Sequence, residues 1–265
     1  MEDRAMALSY AHYLKLDELL SLQEPTSEGP EHDELLFIVV HQVHELWFKQ
    51  VLHELKLLQL AMENGHVPIV TRALSRVVTI LDTLIAQVEV LETLTPATFT
   101  SFRDRLESVT GLQSLQFREL EFVLGTRRRA VLEAMPEGSR ARVRLERLAA
   151  RPSVWDSFLR YLALLGYPIP PEVLNRDLAR SNQASPAVQE SLLEVYRHDP
   201  GARQVAELLV DLDQRLQEWR YRHAVMIERT VGSGAGAGGG SGAAYLRSTL
   251  GRPLFPDLWA IRDAL

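Results

Sequence analysis

Two histidines lie on the apolar stripes of two separate amphipathic segments. In LLFIVVHQVHELWFKQVL, the stripe recurs every three or four residues at Phe37, His41, His44, Phe48 and Val51. In LLVDLDQRLQEWRYRHAVMIERTVG, the stripe holds Leu208, Leu212, Leu216, Trp219, His223 and Ile227. Such spacing places side chains on one face of a helix. An imidazole in an apolar seam costs free energy unless it is hydrogen-bonded or bound to a metal. His41 and His223 therefore predict a buried cofactor that two helices approach.

Other kinds of histidine site fit the sequence less well. A single buried histidine is usually one whose hydrogen bonds are satisfied within the core, and five are interpreted as ordinary: His12, His32, His53, His66 and His198. His44 shares the face of His41. It could belong to the site, or it could simply donate a hydrogen bond to a nearby acceptor. Di-iron bundles need Glu-x-x-His repeated on facing helices, a repeat that this chain lacks. The His-Glu-x-x-His signature of zinc proteases is absent as well.

Composition narrows the choice of cofactor. The 265 residues include no cysteine, which excludes disulfides, thiolate-ligated haem, Cys-ligated iron–sulfur clusters and haem attached through Cys-x-x-Cys-His. The formal net charge of −6 argues against nucleic-acid binding. A haem ligated by one neutral imidazole, with the second on the opposite face, fits these residues best.

The elements that would carry the histidines are helices. Leu, Ala, Glu and Arg dominate and strand-like runs are scarce, so we expect an all-α helical domain over residues 1–265. The predicted helices include residues 10–23, 31–63, 67–94, a short helix in LQSLQFRELEFVL, and a last long helix from Pro200 to Gly232. YPIPPEV predicts a connection without regular helix. The longest apolar run, residues 35–40, is too short to span a bilayer, and no secretory pattern precedes it, so we expect a cytoplasmic protein.

A glycine-rich segment, residues 232–244, follows the helix of His223. Such composition is typical of a flexible linker, but only about twenty residues follow it here. Glycine also permits close backbone approach to a ligand. We therefore interpret the segment as a substrate loop.

Several stretches, in register from near Tyr10 to the C-terminus, resemble the tryptophan 2,3-dioxygenase family. They are YAHYLKLDELLSLQ, DELLFIVVHQVHELWFKQ, GLQSLQFRELE, and WRYRHAVMIERTVG followed by the glycine-rich segment and AAYLRSTLG…LFPDLW. The resemblance implies an all-α fold of the tryptophan/indoleamine dioxygenase type with one haem b per subunit, ferrous in the active form. It also implies a homotetramer that adds O2 across the indole C2–C3 bond of L-tryptophan to give N-formylkynurenine.

The resemblance also implies roles for individual residues. His223 matches the axial ligand of the haem iron, and His41 matches the distal histidine that hydrogen-bonds the indole N–H. Phe37 matches an aromatic residue that packs on the substrate ring. Arg103 matches the arginine that pairs with the substrate carboxylate, a role suited to a planar guanidinium. Two N-terminal tyrosines, Tyr10 and Tyr13, match residues that complete the site of a neighbouring subunit.

The amino-acid end of the site departs from the family pattern. Ala237 stands where a threonine touches the substrate, and Gly234 stands where a lysine is usual. Phe99 replaces a common tyrosine, and Thr110 replaces a common serine. A lost hydroxyl removes a hydrogen bond worth about 1 kcal/mol. The changed contacts leave a substituted tryptophan open as the substrate.

Two alternatives to ring opening stay open, and the first follows from these departures. The same scaffold could transfer one oxygen atom to tryptophan or a methylated tryptophan, giving a 2-oxindole, and would then need an outside reductant. A haem sensor without turnover is the other alternative. Arg103 argues against a sensor, because a gas sensor needs no carboxylate clamp.

Overall fold

The computed structural model describes residues 9–27, 29, 31–103, 114–232 and 239–265. Within these ranges every regular element is helical. The helices are α1 Tyr10–Leu14, α2 Leu16–Leu20, α3 His32–Glu63, α4 Val67–Leu91, α5 Pro96–Arg103, α6 Leu115–Leu124, α7 Arg129–Glu133, α8 Arg140–Ala149, α9 Val154–Leu164, α10 Pro171–Leu174, α11 Pro186–His198, α12 Pro200–Val231, α13 Gly239–Thr249 and α14 Pro256–Ala260. A 3-10 turn, Arg262–Ala264, follows α14. The expected all-α fold is confirmed.

Three long helices form the centre of the fold. α4 packs against both α3 and α12, and its apolar stripe is almost fully buried from Val70 to Leu91. α6 and α9 pack on α3, and α11 and α13 pack on α12. The two histidine-bearing helices predicted from the sequence are therefore the two partners of α4.

Local sequence fixes several helix ends. Ser153 caps α9 through a capping box, in which Ser153 Oγ accepts a bond from Asp156 N while Asp156 Oδ2 accepts from Ser153 N. Gly125 ends α6 at φ +99°, a conformation that glycine adopts without strain. A Cβ there would lie within 2.5 Å of the Asn182 side chain, so glycine is required for space as well.

Three predictions about helix boundaries are wrong. The single helix expected over 10–23 breaks at Lys15, whose φ of +53° separates α1 from α2. YPIPPEV is not free of helix, because α10 begins at Pro171, and proline is tolerated in a first helical turn. α13 begins at Gly239, inside the segment 232–244 expected to be a loop. No helix in the described ranges is long and apolar enough to cross a membrane.

Candidate functional site

One cavity between α3 and α12 collects the histidines singled out in the sequence. Its lining residues are His41, His44, Glu45, Phe48, Leu91, Ser114, Phe117, Trp219 and His223. His44 and His223 are 6% and 8% exposed, and His41 is half-buried. His41 and His223 thus line the same cavity, as two helices that approach one site would require.

Hydrogen bonds fix the tautomers of the two histidines on α3. His41 Nδ1 lies 2.7 Å from the carbonyl oxygen of Phe37, and His44 Nδ1 lies 2.8 Å from that of Val40. A carbonyl oxygen only accepts, so each Nδ1 carries a proton and donates it. Each Nε2 of a neutral ring therefore keeps a lone pair that can accept a hydrogen bond or bind a metal.

Burial keeps these imidazoles neutral. Desolvation lowers the pKa of His223 to about 3, and the neighbouring His41 and His44 contribute to the same shift. Burial also lowers the pKa of His41 and of His44, against the opposing effect of their backbone bonds. A neutral imidazole is the form that ligates a metal.

Aromatic rings pack beside His41, although none of these rings lines the cavity. The rings of Phe37 and His41 are 4.1 Å apart between centroids, tilted by 38°. Phe99 and Phe102, both buried on α5, pack on Phe37 at centroid distances of 6.1 and 5.9 Å. The structure thus brings Phe37, His41 and Phe99 together.

The other residues predicted for the site stand differently. Arg103 is half-buried at the end of α5, directly after Phe102. Tyr10 and Tyr13, on α1, are 76% and 72% exposed and do not line the cavity. Thr110 and Ala237 lie outside the described residues.

Sequence reasoning missed part of the lining. The sequence does not decide the role of His44; in the structure its Nδ1 donates to the backbone while its ring lines the cavity. Phe117 packs on Phe48 and Trp219 at 5.6 and 5.0 Å, so one aromatic cluster joins α3, α6 and α12. The available signal for Phe117 is its place in GLQSLQFRELE, one of the stretches that carry the family resemblance.

Comparison with known proteins decides the family. The family model of tryptophan 2,3-dioxygenase matches residues 1–135 and 195–265. The chain belongs to the tryptophan 2,3-dioxygenase family. Relatives named tryptophan 2,3-dioxygenase include those of Herpetosiphon aurantiacus, 56% identical over 98% of this chain and 100% of the relative, and Anaeromyxobacter sp., 54% identical over 98% and 97%. The protein of that name from Caulobacter vibrioides is 43% identical over 98% of this chain and 100% of its own length.

Membership in the tryptophan 2,3-dioxygenase family makes the chain a haem-dependent oxidoreductase and confirms the resemblance found in the sequence. All the relatives named above are tryptophan dioxygenases by name, so the 2-oxindole alternative gains no support. The residues that line the cavity all lie within the two matched segments.

The side chains that line the cavity, by their donor atoms, fit the haem that the family implies. His223 Nδ1, His44 Nε2 and Trp219 Nε1 are all buried there without a hydrogen-bond partner. Each such atom costs about 1–3 kcal/mol, which a bound ligand can recover. In the described ranges no three His, Cys, Asp or Glu side chains form a set for a metal ion. An iron held by its porphyrin and a single imidazole needs no such set.

Proposed function

We propose that this chain catalyses the addition of both atoms of O2 to the indole C2–C3 bond of L-tryptophan. The ring opens to N-formylkynurenine, whose formula is that of tryptophan plus one O2, so the reaction consumes no outside electrons. The observation that carries the proposal is one apolar cavity in which neutral imidazoles from α3 and α12 meet.

We assign His223 as the residue that would hold the iron of a haem b, which would be ferrous in the active enzyme. Its low pKa and its place on the buried face of α12 support this role. The haem, when bound, supplies the activation of O2. The protein supplies an apolar pocket and a fixed orientation for the substrate.

His41 is the residue proposed to hold the indole N–H. Its Nδ1 proton is committed to the carbonyl of Phe37, so Nε2 is an acceptor. An indole N–H only donates, and the two groups therefore match. A neutral ring is required for this bond, and burial keeps His41 neutral at physiological pH.

The substrate would lie against the rings of Phe37 and Phe99, which pack beside His41. Arg103 follows Phe102 at the end of α5, and its guanidinium would pair with the carboxylate of the amino acid. Thr110 and Ala237 are proposed to contact the same end of the substrate. The hydroxyl groups missing at residues 99 and 237 leave substituted tryptophans as candidate substrates.

Residues 1–265 are proposed to form one domain and to assemble as a homotetramer. Tyr10 and Tyr13 would complete the site of a neighbouring subunit. Their exposure on a helix that buries none of its residues supports this assignment.

Mass spectrometry of the product tests the reaction. Haem-loaded, reduced protein is given L-tryptophan under ¹⁸O2, and we expect two labelled atoms in a ring-opened product. One labelled atom in a closed-ring product would refute the dioxygenase. The His223→Ala protein should lose most of its haem, and a retained five-coordinate ferrous spectrum would refute the ligand assignment.

A further inference from the structure

A single buried carboxylate joins three helices beside the site. Glu121, on α6, is 1% exposed and accepts hydrogen bonds from Arg118 Nη1 at 2.8 Å, Arg220 Nη2 at 3.0 Å and the Tyr245 hydroxyl at 2.9 Å. Arg220 lies on α12 and Tyr245 on α13. The guanidinium of Arg118 also stacks 3.9 Å from the centre of the Tyr245 ring.

On two helices, α12 and α6, residues of this network lie about one turn from residues of the site. Arg220 precedes His223 by three residues, which places the two side chains about one helical turn apart on α12. Glu121 follows Phe117 by four residues on α6, and Phe117 lines the cavity. The carboxylate thus holds the turns of α6 and α12 that carry Phe117 and His223.

Arg220 depends on Glu121 for its position. Its side chain is 1% exposed, and its Nε has no hydrogen-bond partner. A buried cation without its anion is strongly unfavourable, so the pair fixes the guanidinium in one place. Burial and the nearby Glu121 raise the pKa of Tyr245 to about 12, which keeps its hydroxyl protonated and donating.

We propose that Tyr245, through Glu121 and Arg220, is a positioning residue for the His223 imidazole. The inference rests on the proposed role of His223 as the haem ligand. Tyr245 does not line the cavity, so it acts through the orientation of the α12 turn. The bond also ties α13, the helix that begins within the glycine-rich segment, to the helix of the proposed iron ligand.

Two tyrosine variants of the haem-loaded protein test this role. Tyr245→Phe removes only the hydroxyl, and Tyr196→Phe is the matched control. Tyr196 donates to Glu207 at 2.5 Å and so ties α11 to α12, but Glu207 lies sixteen residues from His223. Each variant loses one hydrogen bond from a tyrosine hydroxyl to a glutamate among α12 and the helices that pack on it.

The readouts are the iron–histidine stretching band of the ferrous protein and the rate of haem loss. We expect Tyr245→Phe to shift the band and speed haem loss roughly tenfold, as losses of residues that orient a ligand do. Arg220→Lys, which keeps the charge but loses the planar fork, should shift the band in the same direction. Tyr196→Phe should leave both readouts as in the unchanged protein.

Each contrary result has a distinct meaning. If Tyr245→Phe and Tyr196→Phe give the same band and the same haem loss, the network stabilises the fold only and the inference is refuted. If His223→Ala keeps the iron–histidine band, the ligand assignment in the proposed function is wrong instead. A shifted band in Tyr245→Phe, together with loss of the band in His223→Ala, supports both.

Discussion

Acid should destabilise the haem-free protein through His223. The pKa of this imidazole falls from its ordinary value of 6.5 to about 3 in the fold because burial disfavours the charged ring. Between pH 6.5 and about pH 3, His223 is protonated in the unfolded chain but stays neutral in the folded chain. The free energy of unfolding therefore falls as the pH drops below 6.5. At about 1.36 kcal/mol per pH unit, His223 alone removes roughly 2 kcal/mol between about pH 8 and about pH 5.

Urea unfolding at a series of pH values measures this contribution. The unchanged protein is compared with His223→Leu, which fills the same apolar place without a titrating group, and with His53→Leu, which changes a histidine elsewhere on α3 that does not line the cavity. We expect the pH dependence of His223→Leu to be shallower by about 2 kcal/mol over this range, while His53→Leu follows the unchanged protein. Parallel curves for all three proteins would refute the assignment of a neutral, buried His223.

Further substitutions test the substrate contacts and the residues that end or cap helices. Arg103→Ala should raise the KM for L-tryptophan roughly tenfold or more through loss of a charge-assisted bond, with haem content unchanged; an unchanged KM would mean that the carboxylate is held elsewhere. Gly125→Ala should lower the free energy of unfolding by more than Gly65→Ala. Both glycines have positive φ, but only Gly125 is confined by a neighbouring side chain. Ser153→Ala should cost about 1 kcal/mol in thermal unfolding through loss of the capping box; an unchanged Tm would contradict this.

The inward position of the site histidines could be predicted because buried residues recur with the period of the helix. His41 and His223 replace apolar residues on stripes of three- and four-residue spacing, and such a stripe faces the core whatever the rest of the chain does. The periodicity predicts the bounds of α3, and Pro200-Gly201 predicts the start of α12, each to within a residue. The periodicity does not predict which ring nitrogen of His44 keeps a lone pair. That depends on the hydrogen bond from His44 Nδ1 to the carbonyl of Val40.

The contacts of Glu121 could not be predicted from local pattern. Tyr245 is 124 residues away in the sequence, and nothing in the spacing of either residue indicates a partner. A glutamate in a short helix is also typical of a solvated side chain unless it is known to be buried. The break at Lys15 is a similar case, because lysine carries no preference for positive φ.

The shortness of the first two helices has a consequence for the working enzyme. α1 and α2 each have five residues and bury none of their side chains. Helices of this length are not stable in water alone. If a neighbouring subunit supplies the missing contacts, assembly and catalytic competence are linked by mass action. Specific activity would then fall on dilution, and the amount of enzyme made would govern both the number of sites and the fraction of them that is complete.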